Sequence, residues 1–353
     1  MNQPLVSVVM PVCNVERFLA ESIESILGQT FRDFEFIIID FGSTDNSTSI
    51  VSSYAARDNR IKFHKIPNCV LPAARNAGCS LAQGKYIAIM DADDVSLTNR
   101  LALQVDFIER RSEIALLGGA TEWIDATGRS LGAHHVPSEY YEIQSALATR
   151  CPFWHPTILI RKDIFLIVGG YRAAFIFAHD YDLELRIAER FECTNLKQVV
   201  LKYRIHPFQV TFHSQRQQTL YKLAAQASAI RRGHSKLDPL EGARKITPRL
   251  LAELGVGEPA QQNALASDCR NWIRSMSAAR EYSAALDAAR QMLGSRLNYV
   301  ERWQIADLRL AVARLYWKQG RFVRSAVTAG HALITRPLIL ARPLKLFLRW
   351  FRF

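Results

Sequence analysis

Short apolar runs alternate with amphipathic stretches over the first 95 residues. Val6 to Met10 is compact and β-rich, and predicts a buried strand. From Val15 to Leu27, Phe18, Leu19, Ile23, Ile26 and Leu27 recur at helical spacing and make one apolar side. Phe34 to Ile39 predicts a second strand ending at Asp40. The turn Gly42-Ser43-Thr44-Asp45 then opens a helix through Ile50, Val51 and Tyr54, with Ser43 or Thr44 as its cap. Ile61 to His64 reads as a third strand and Ala73 to Leu81 as a helix. Tyr86 to Met90 reads as a fourth strand, bounded by Gly84 and an acidic cluster. This β-α repetition implies an α/β fold, an open doubly wound sheet with right-handed crossovers. No Gly-x-Gly-x-x-Gly follows the first strand, which argues against a dinucleotide-binding domain.

The pattern turns mixed from about Thr98 to Phe212. A helix over Leu101 to Arg111 precedes short strands at Ile114–Leu117 and Thr121–Asp125, with a turn at Thr127-Gly128-Arg129. Thr157 to Ile160 predicts a strand, Asp180 to Arg190 a helix and Val199 to Ile205 a strand. Beyond His213 strand signals nearly vanish and Ala, Leu, Arg and Gln dominate. The expected domains are therefore 1–212, an all-helical domain over 213–335 and a basic amphipathic tail over 336–353.

The chain has 353 residues and is 49% hydrophobic, enough for two well-filled cores. Its six cysteines are scattered without metal-site spacing and read as reduced thiols of a cytoplasmic protein. Met1-Asn2-Gln3-Pro4 runs directly into the first strand, so no signal peptide is expected. No apolar segment approaches the ~20 residues needed to span a bilayer. A net charge of +12 points to an anionic partner: nucleic acid, anionic lipid or a phosphorylated substrate. Nucleic acid ranks last, because the basic residues lack an aromatic-interleaved strand or a recognised motif.

The densest chemistry is Asp91-Ala92-Asp93-Asp94, at the carboxyl end of the fourth strand. Open α/β sheets bind ligands at that edge. Alternate residues point the same way, so Asp91 and Asp93 can share a divalent ion or divide ion and sugar contacts. Hard oxygen ligands suit Mg2+ or Mn2+. The plainer alternative is a solvated loop whose Asp caps a helix opened by Leu97-Thr98-Asn99-Arg100.

Several separated pieces together resemble family 2 glycosyltransferases. They are Val6 to Asn14, Ile23 to Phe31, Gly42-Ser43-Thr44-Asp45, Ala74-Arg75-Asn76-Ala77-Gly78 and Asp91 to Asp94. Phe165 to Tyr171, His179-Asp180-Tyr181-Asp182-Leu183 and Tyr203-Arg204-Ile205-His206 continue the likeness. It spans about residues 5 to 212 in the family's order. The resemblance implies a GT-A-like catalytic domain and an inverting, metal-dependent transferase acting on a nucleotide sugar. Pro11 would line the nucleoside pocket, Asp40 would bond base or ribose, and Arg75 would contact base or phosphate. Asp91 would sit near the ribose and Asp93 would bind the metal, a Lewis acid for the departing diphosphate.

Asp180 is the expected general base, taking the proton of the acceptor hydroxyl as it attacks. Asp182 is the fallback. The family usually carries Glu-Asp where this chain has His179-Asp180. His206 resembles a position near diphosphate and metal and could ligate the ion, a structural histidine being the alternative. Trp154 and His155 are candidates for the acceptor pocket. Phe41 replaces the second acid that commonly follows the second strand, and leaves stacking, another base or reduced activity open.

In the helical region, Tyr282 to Ala289 and Phe322 to Ala329 look like two copies of one element. The second resembles half of a tetratricopeptide repeat, with a plain helical bundle as the alternative. Over Pro343 to Phe353, Lys345, Arg349 and Arg352 share a stripe amid Leu, Phe and Trp, the make-up of a helix at a membrane surface. The expected acceptor is a cell-surface glycan or lipid-linked acceptor. The rival function is a catalytically weak relative acting as an assembly scaffold through its helical domain.

Overall fold

The computed structural model describes residues 3–209, 214–235, 237–295 and 297–336. Its chain forms two compact units, Met1–Arg204 with Ala224–Thr247 and Ile205–Leu223 with Pro248–Phe353. The segment 224–247 thus returns to the first unit.

The first unit is built on β1 (Val6–Val12), β2 (Phe34–Asp40), β3 (Ile61–Lys65) and β4 (Tyr86–Ile89), parallel in the order β3-β2-β1-β4. Every residue of β1 and β2 is buried, as near-continuous apolar runs require when helices cover both faces of a sheet. Helices α1 (Glu16–Leu27), α2 (Ser47–Ala55) and α3 (Leu71–Leu81) connect these strands. Gly84 permits the turn into β4, because a Cβ there would stand 2.7 Å from the Ser7 amide nitrogen. Neither Ser43 nor Thr44 caps α2. The helix starts at Ser47, and the Thr44 N–H donates to Asn14 Oδ1 (2.8 Å) instead.

Past β4 the sheet becomes antiparallel. The chain continues through β5 (Val95–Ser96), α4 (Arg100–Glu109), β6 (Ile114–Asp125), β7 (Ser130–His134) and α5 (Tyr140–Leu147). A 3-10 turn (His155–Thr157), β8 (Leu159–Arg161), α6 (Lys162–Ile167), α7 (His179–Ala188) and β9 (Glu192–Ile205) follow. The full order is β3-β2-β1-β4-β8-β6-β9-β5, with β7 on β6. The two short strands expected at 114–117 and 121–125 are one continuous β6. Gly118-Gly119, which broke the apolar pattern, are strand residues where β9 presses close. An added Cβ would lie 2.1 Å from Asn195 Oδ1 at Gly118 and 2.6 Å from Val200 Cγ2 at Gly119. The missing side chains mark a close approach, not a loop.

The helical region comprises α8 (Gln215–Ser235), α9 (Pro248–Glu253), α10 (Glu258–Ala278), α11 (Tyr282–Leu293), α12 (Arg302–Lys318) and α13 (Phe322–Thr335). No strand follows Ile205 among the described residues. The two look-alike segments begin α11 and α13, but their surroundings differ. Five residues of α11 are buried, against only Ser325 and Ala332 of α13. The interfacial helix expected over 343–353 lies outside the described residues. No described helix is long and apolar enough to cross a membrane.

Gly118→Ala should destabilise the protein by about 1–3 kcal/mol, the usual cost of overpacking a filled interior. Asn195, whose Nδ2 donates to the Pro137 (2.8 Å) and Pro152 (3.2 Å) carbonyls, cannot yield without losing both bonds. Urea denaturation of variant and parent measures the difference.

Candidate active site

The carboxyl ends of β1, β2 and β4 form the rim of the site. After β1, Asn14 adopts a left-handed φ of 52°, and the β1–α1 and β2–α2 turns are laced together there. Asp45 Oδ2 accepts from the Glu16 N–H (3.0 Å) and its Oδ1 from the Ser47 N–H (2.9 Å), so one carboxylate serves two helix starts. Glu16 returns the tie by accepting from the Asn46 N–H (2.9 Å). Pro11 is buried inside β1, one residue before its end. Asp40 ends β2 and closes its own turn, accepting from the amides of Gly42 (3.1 Å) and Ser43 (2.9 Å) and from the Thr48 hydroxyl. Burial pushes its carboxyl up, but those three donors outweigh it and hold the group below the usual carboxylate range. Asp40 is therefore a structural turn residue first, with lone pairs to spare for a ligand. Phe41 beside it is half-buried, with its N–H on the Val12 carbonyl (3.1 Å).

The acidic loop leaves β4 at Met90. None of its carboxylates caps the next helix. α4 starts at Arg100, and the Leu101 N–H is met by Gln29 Oε1 (3.0 Å), two residues past the end of α1. Asp91 and Asp93 are half-exposed, whereas Asp94 is fully buried. Arg75, on α3 and itself buried, donates from Nη2 to Asp91 Oδ1 at 2.6 Å. Its Nε and Nη1 are buried without a hydrogen-bond partner. Burial raises the Asp91 carboxyl, Arg75 opposes this, and the charges of Asp93 and Asp180 add to the rise. Asp94 Oδ1 accepts from the Arg204 N–H (2.8 Å) while Oδ2 is buried without a partner. Burial, then Asp93 and Asp91, push its carboxyl well above the ordinary range. Arg204 clamps the loop from β9: Nε donates to the Asp93 carbonyl (2.8 Å) and Nη2 pairs with Glu21 (2.5 Å).

Asp180 lies on the first turn of α7, after Ala178 in a left-handed conformation (φ 48°). It is half-buried, and burial raises its carboxyl while the Tyr181 N–H and Arg75 partly offset the rise. Tyr203 records the convergence. Burial raises its hydroxyl, and the charges of Asp94, Asp93, Asp91 and Asp180 all raise it further. Residues more than eighty positions apart thus share one electrostatic neighbourhood.

The two glycines before Tyr171 have a local cause. Gly169 and Gly170 both have positive φ (80° and 62°), which turns the chain so that Tyr171 faces α3. Asn76 reads both polar groups of that turn, Nδ2 to the Tyr171 carbonyl (2.7 Å) and Oδ1 from the Tyr171 N–H (2.9 Å). The Tyr171 hydroxyl meets His155 Nε2 (2.9 Å), and His155 Nδ1 meets Glu184 Oε1 (3.2 Å). Burial, with Arg75 and His179 beside it, holds His155 well below the usual histidine range, so it is neutral. Burial and Arg75 do the same to His179, whose ring lies 5.5 Å from that of Tyr171. Burial and the Asp180 charge raise Glu184, favouring its protonated form.

Asp182 cannot serve as the base. It is fully buried and held by Arg172 (Nε–Oδ2 2.9 Å) and Arg186 (Nε–Oδ2 3.0 Å). Arg172 continues to Asp238 (2.6 Å), anchoring the returning segment to the first unit. His155 likewise serves the buried network, while Trp154 joins a half-buried aromatic group. The Trp154 ring stands 5.1 Å from that of Tyr203 and 5.5 Å from that of Trp123, which stacks on His134 at 3.6 Å. Sequence reasoning passed over Trp123, Tyr203 and Glu184, and gave Arg204 no role. Tyr203 and Arg204 sat inside a quoted motif, but strand alternation alone did not say which faced the acids. His206 is buried and belongs to the second unit, with its N–H on Gln209 Oε1 (3.5 Å).

Among the described residues no three His, Cys, Asp or Glu side chains form a metal-ligand cluster. Mg2+ or Mn2+ needs fewer protein ligands than such a cluster, binding through one or two carboxylates and completing its shell with water and substrate phosphate. Asp91 and Asp93, both all-oxygen donors on one loop, meet that requirement.

An α/β sheet with acids and arginines at its carboxyl edge and a raised carboxylate on the facing helix defines a group-transfer site of glycosyltransferase type. Residues 7–166 match the family described as Glycosyl transferase family 2. The uncharacterized glycosyltransferase MJ1057 of Methanocaldococcus jannaschii is 38% identical over 58% of this chain and 72% of its own. The putative glycosyltransferase EpsE of Bacillus subtilis is 38% identical over 57% and 73%. The O-antigen biosynthesis glycosyltransferase WbnJ of Escherichia coli is 33% identical over 57% and 80%. The chain belongs to glycosyltransferase family 2 and is a glycosyltransferase. Among solved structures, S. aureus TarS 1-349 in complex with UDP-GlcNAc shares the fold, with a TM-score of 0.50 at 14% identity over 92% of this chain and 90% of that one.

Asp182→Ala should cost about 3–5 kcal/mol, since it removes the carboxylate that pairs with buried Arg186 and half-buried Arg172. Asp180→Asn should leave stability nearly unchanged. Thermal unfolding of the two variants distinguishes the structural acid from the chemical one.

Proposed function

We propose that this chain moves a sugar from a nucleotide-sugar donor to a hydroxyl acceptor by one displacement with inversion at the anomeric carbon. The carrying observation is the shared field of Asp91, Asp93 and Asp180 around Arg75 and Tyr203. Pro11 and Asp40 border the nucleoside, Phe41 stacks beside it, and Asp91 meets the ribose. The unpartnered Nε and Nη1 of Arg75 supply donors for base or phosphate. Asp93, with Asp91 on the same loop, would hold Mg2+ or Mn2+, which would offset charge on the departing diphosphate.

Asp180 supplies the base. The acceptor oxygen forms its bond to the anomeric carbon as the bond to the diphosphate oxygen breaks, and the hydroxyl proton passes to the Asp180 carboxylate. A raised carboxyl is a better proton acceptor and is still ionised near neutrality. Trp154 and Tyr203 offer aromatic faces on which an acceptor sugar can stack. The relation to an O-antigen transferase supports a cell-surface glycan or glycolipid as acceptor, with a cytoplasmic location at the inner face of the membrane.

Asp93→Ala should abolish metal-dependent donor binding. Asp180→Asn should keep donor binding and lower transfer by about 10²–10⁴-fold, the usual contribution of general-base catalysis. Calorimetry and transfer assays over a nucleotide-sugar panel with Mn2+ read both; full transfer by Asp180→Asn would overturn the assignment, and absence of any metal-dependent turnover would favour the scaffold. Because the base must be ionised and its carboxyl is raised, kcat/KM should decline as pH is lowered, along a limb centred above the ordinary Asp value of about 3.9. Asp180→Asn should remove that acid limb.

The tail adds membrane contact. Deleting residues 343–353 should move the protein from membrane to soluble fractions, and an unchanged distribution would refute the anchor.

A further inference from the structure

The last described helix turns an apolar face outward. α13 packs on α12 through a narrow strip, with the Ser325 hydroxyl on the Ala313 carbonyl (2.8 Å) and Ala332 buried. Arg309 of α12 reaches the His331 carbonyl (3.1 Å) at the far end of α13. On the opposite side, Val323, Val327, Gly330 and Ile334 recur at i, i+4, i+7 and i+11, one stripe of a helix. Val323 is 78% exposed, Val327 53% and Ile334 79%, with Phe322 (55%) beside them. A packed helix normally turns such a stripe inward, and among the described residues nothing covers this one.

Charge names the occupant. Asp307 is the last acid of the chain, and ten lysines and arginines follow it over residues 308–353. Arg321 and Arg324 stand exposed at the start of α13, flanking the apolar stripe. A cation-flanked apolar helix face without a single carboxylate is complementary to an anionic lipid surface, where apolar groups enter the acyl boundary and arginines meet headgroups. Nucleic acid would match the charge but leave Val323, Val327 and Ile334 in water.

We propose that the outer face of α13 is a lipid-contact surface, lying on an anionic bilayer through Val323, Val327 and Ile334 with Arg321 and Arg324 at its edge. The proposal rests on the reading of this chain as a peripheral membrane protein, but on residues separate from the tail. A single amphipathic contact gives reversible binding and two give stable anchoring, so the face and the tail act together.

The test is co-sedimentation of the full chain with vesicles of phosphatidylcholine alone or containing phosphatidylglycerol. The parent should bind the anionic vesicles and release from them at high salt. Val323→Glu/Val327→Glu/Ile334→Glu should weaken that binding about tenfold or more, and Arg321→Gln/Arg324→Gln should weaken it about fivefold or more. All five positions are exposed, so circular dichroism and donor binding should be unchanged. A chain lacking 343–353 should retain weak anionic binding that the triple substitution removes. Parental binding by the triple variant overturns the proposal and leaves the tail reading standing; parental binding by the tail deletion alone does the reverse. Equal binding to neutral vesicles overturns the charge argument. Binding to duplex DNA in place of vesicles, or a parent dimer that the triple variant dissolves without lipid, assigns the face to another partner and overturns the proposal.

Discussion

The structure depends on holding three carboxylates together at the end of one strand. Asp91, Asp93 and Asp94 leave β4 within four residues, and like charges so close repel unless cations are built around them. Three arginines from three elements answer that need. Arg75 on α3 pairs with Asp91, and Arg204 on β9 bonds the Asp94 carboxylate and the Asp93 carbonyl. Arg100 on α4 lies fully buried beneath the loop, its Nη2 on the Ile89 carbonyl (2.9 Å). Burial lowers that guanidinium to about 9, and Asp94 and Asp91 oppose the fall. Removing a carbonyl partner from water for a cation is costly unless the cation's field is used, and the acids above it use it.

The same constraint orders the rest of the site. Arg75 reaches Asp91 only because α3 is docked to the Gly169-Gly170-Tyr171 turn through Asn76. The close approach there excludes a side chain at Gly170, whose Cβ would stand 2.8 Å from Asn76 Oδ1. That turn in turn places Tyr171 against His155, and His155 against Glu184 on α7, the helix that carries Asp180. The acidic loop and α7 are therefore joined through one hydrogen-bonded body within the first unit.

The acids of α7 show how position divides identical chemistry. Asp180 and Asp182 are two residues apart on one helix, so they point to different sides. Asp182 turns inward to Arg172 and Arg186 and becomes part of the scaffold. Asp180 shares the electrostatic neighbourhood of the acidic loop, and burial raises its carboxyl.

Much of this was legible in the linear chain. Near-continuous apolar runs at Val6–Val12 and Phe34–Asp40 dictate buried parallel strands, because such runs cannot face water on either side. The order of short motifs from Val6 to His206 pointed to the family; Asp91 and Asp93 stood out by residue type and spacing, and Asp180 through the resemblance. Three-dimensional packing decided what periodicity cannot see. Gly118-Gly119 fell between two expected strands, but they continue β6 with β9 lying against them. Ser43 and Thr44 looked like caps, but Asn14 claims them from a neighbouring turn. Asp182 stood as the fallback base until Arg172 and Arg186 claimed it. Sequence patterns record local geometry and the sign of side-chain charge. Which partner each polar group finds depends on elements distant in the chain, and only folding brings those together.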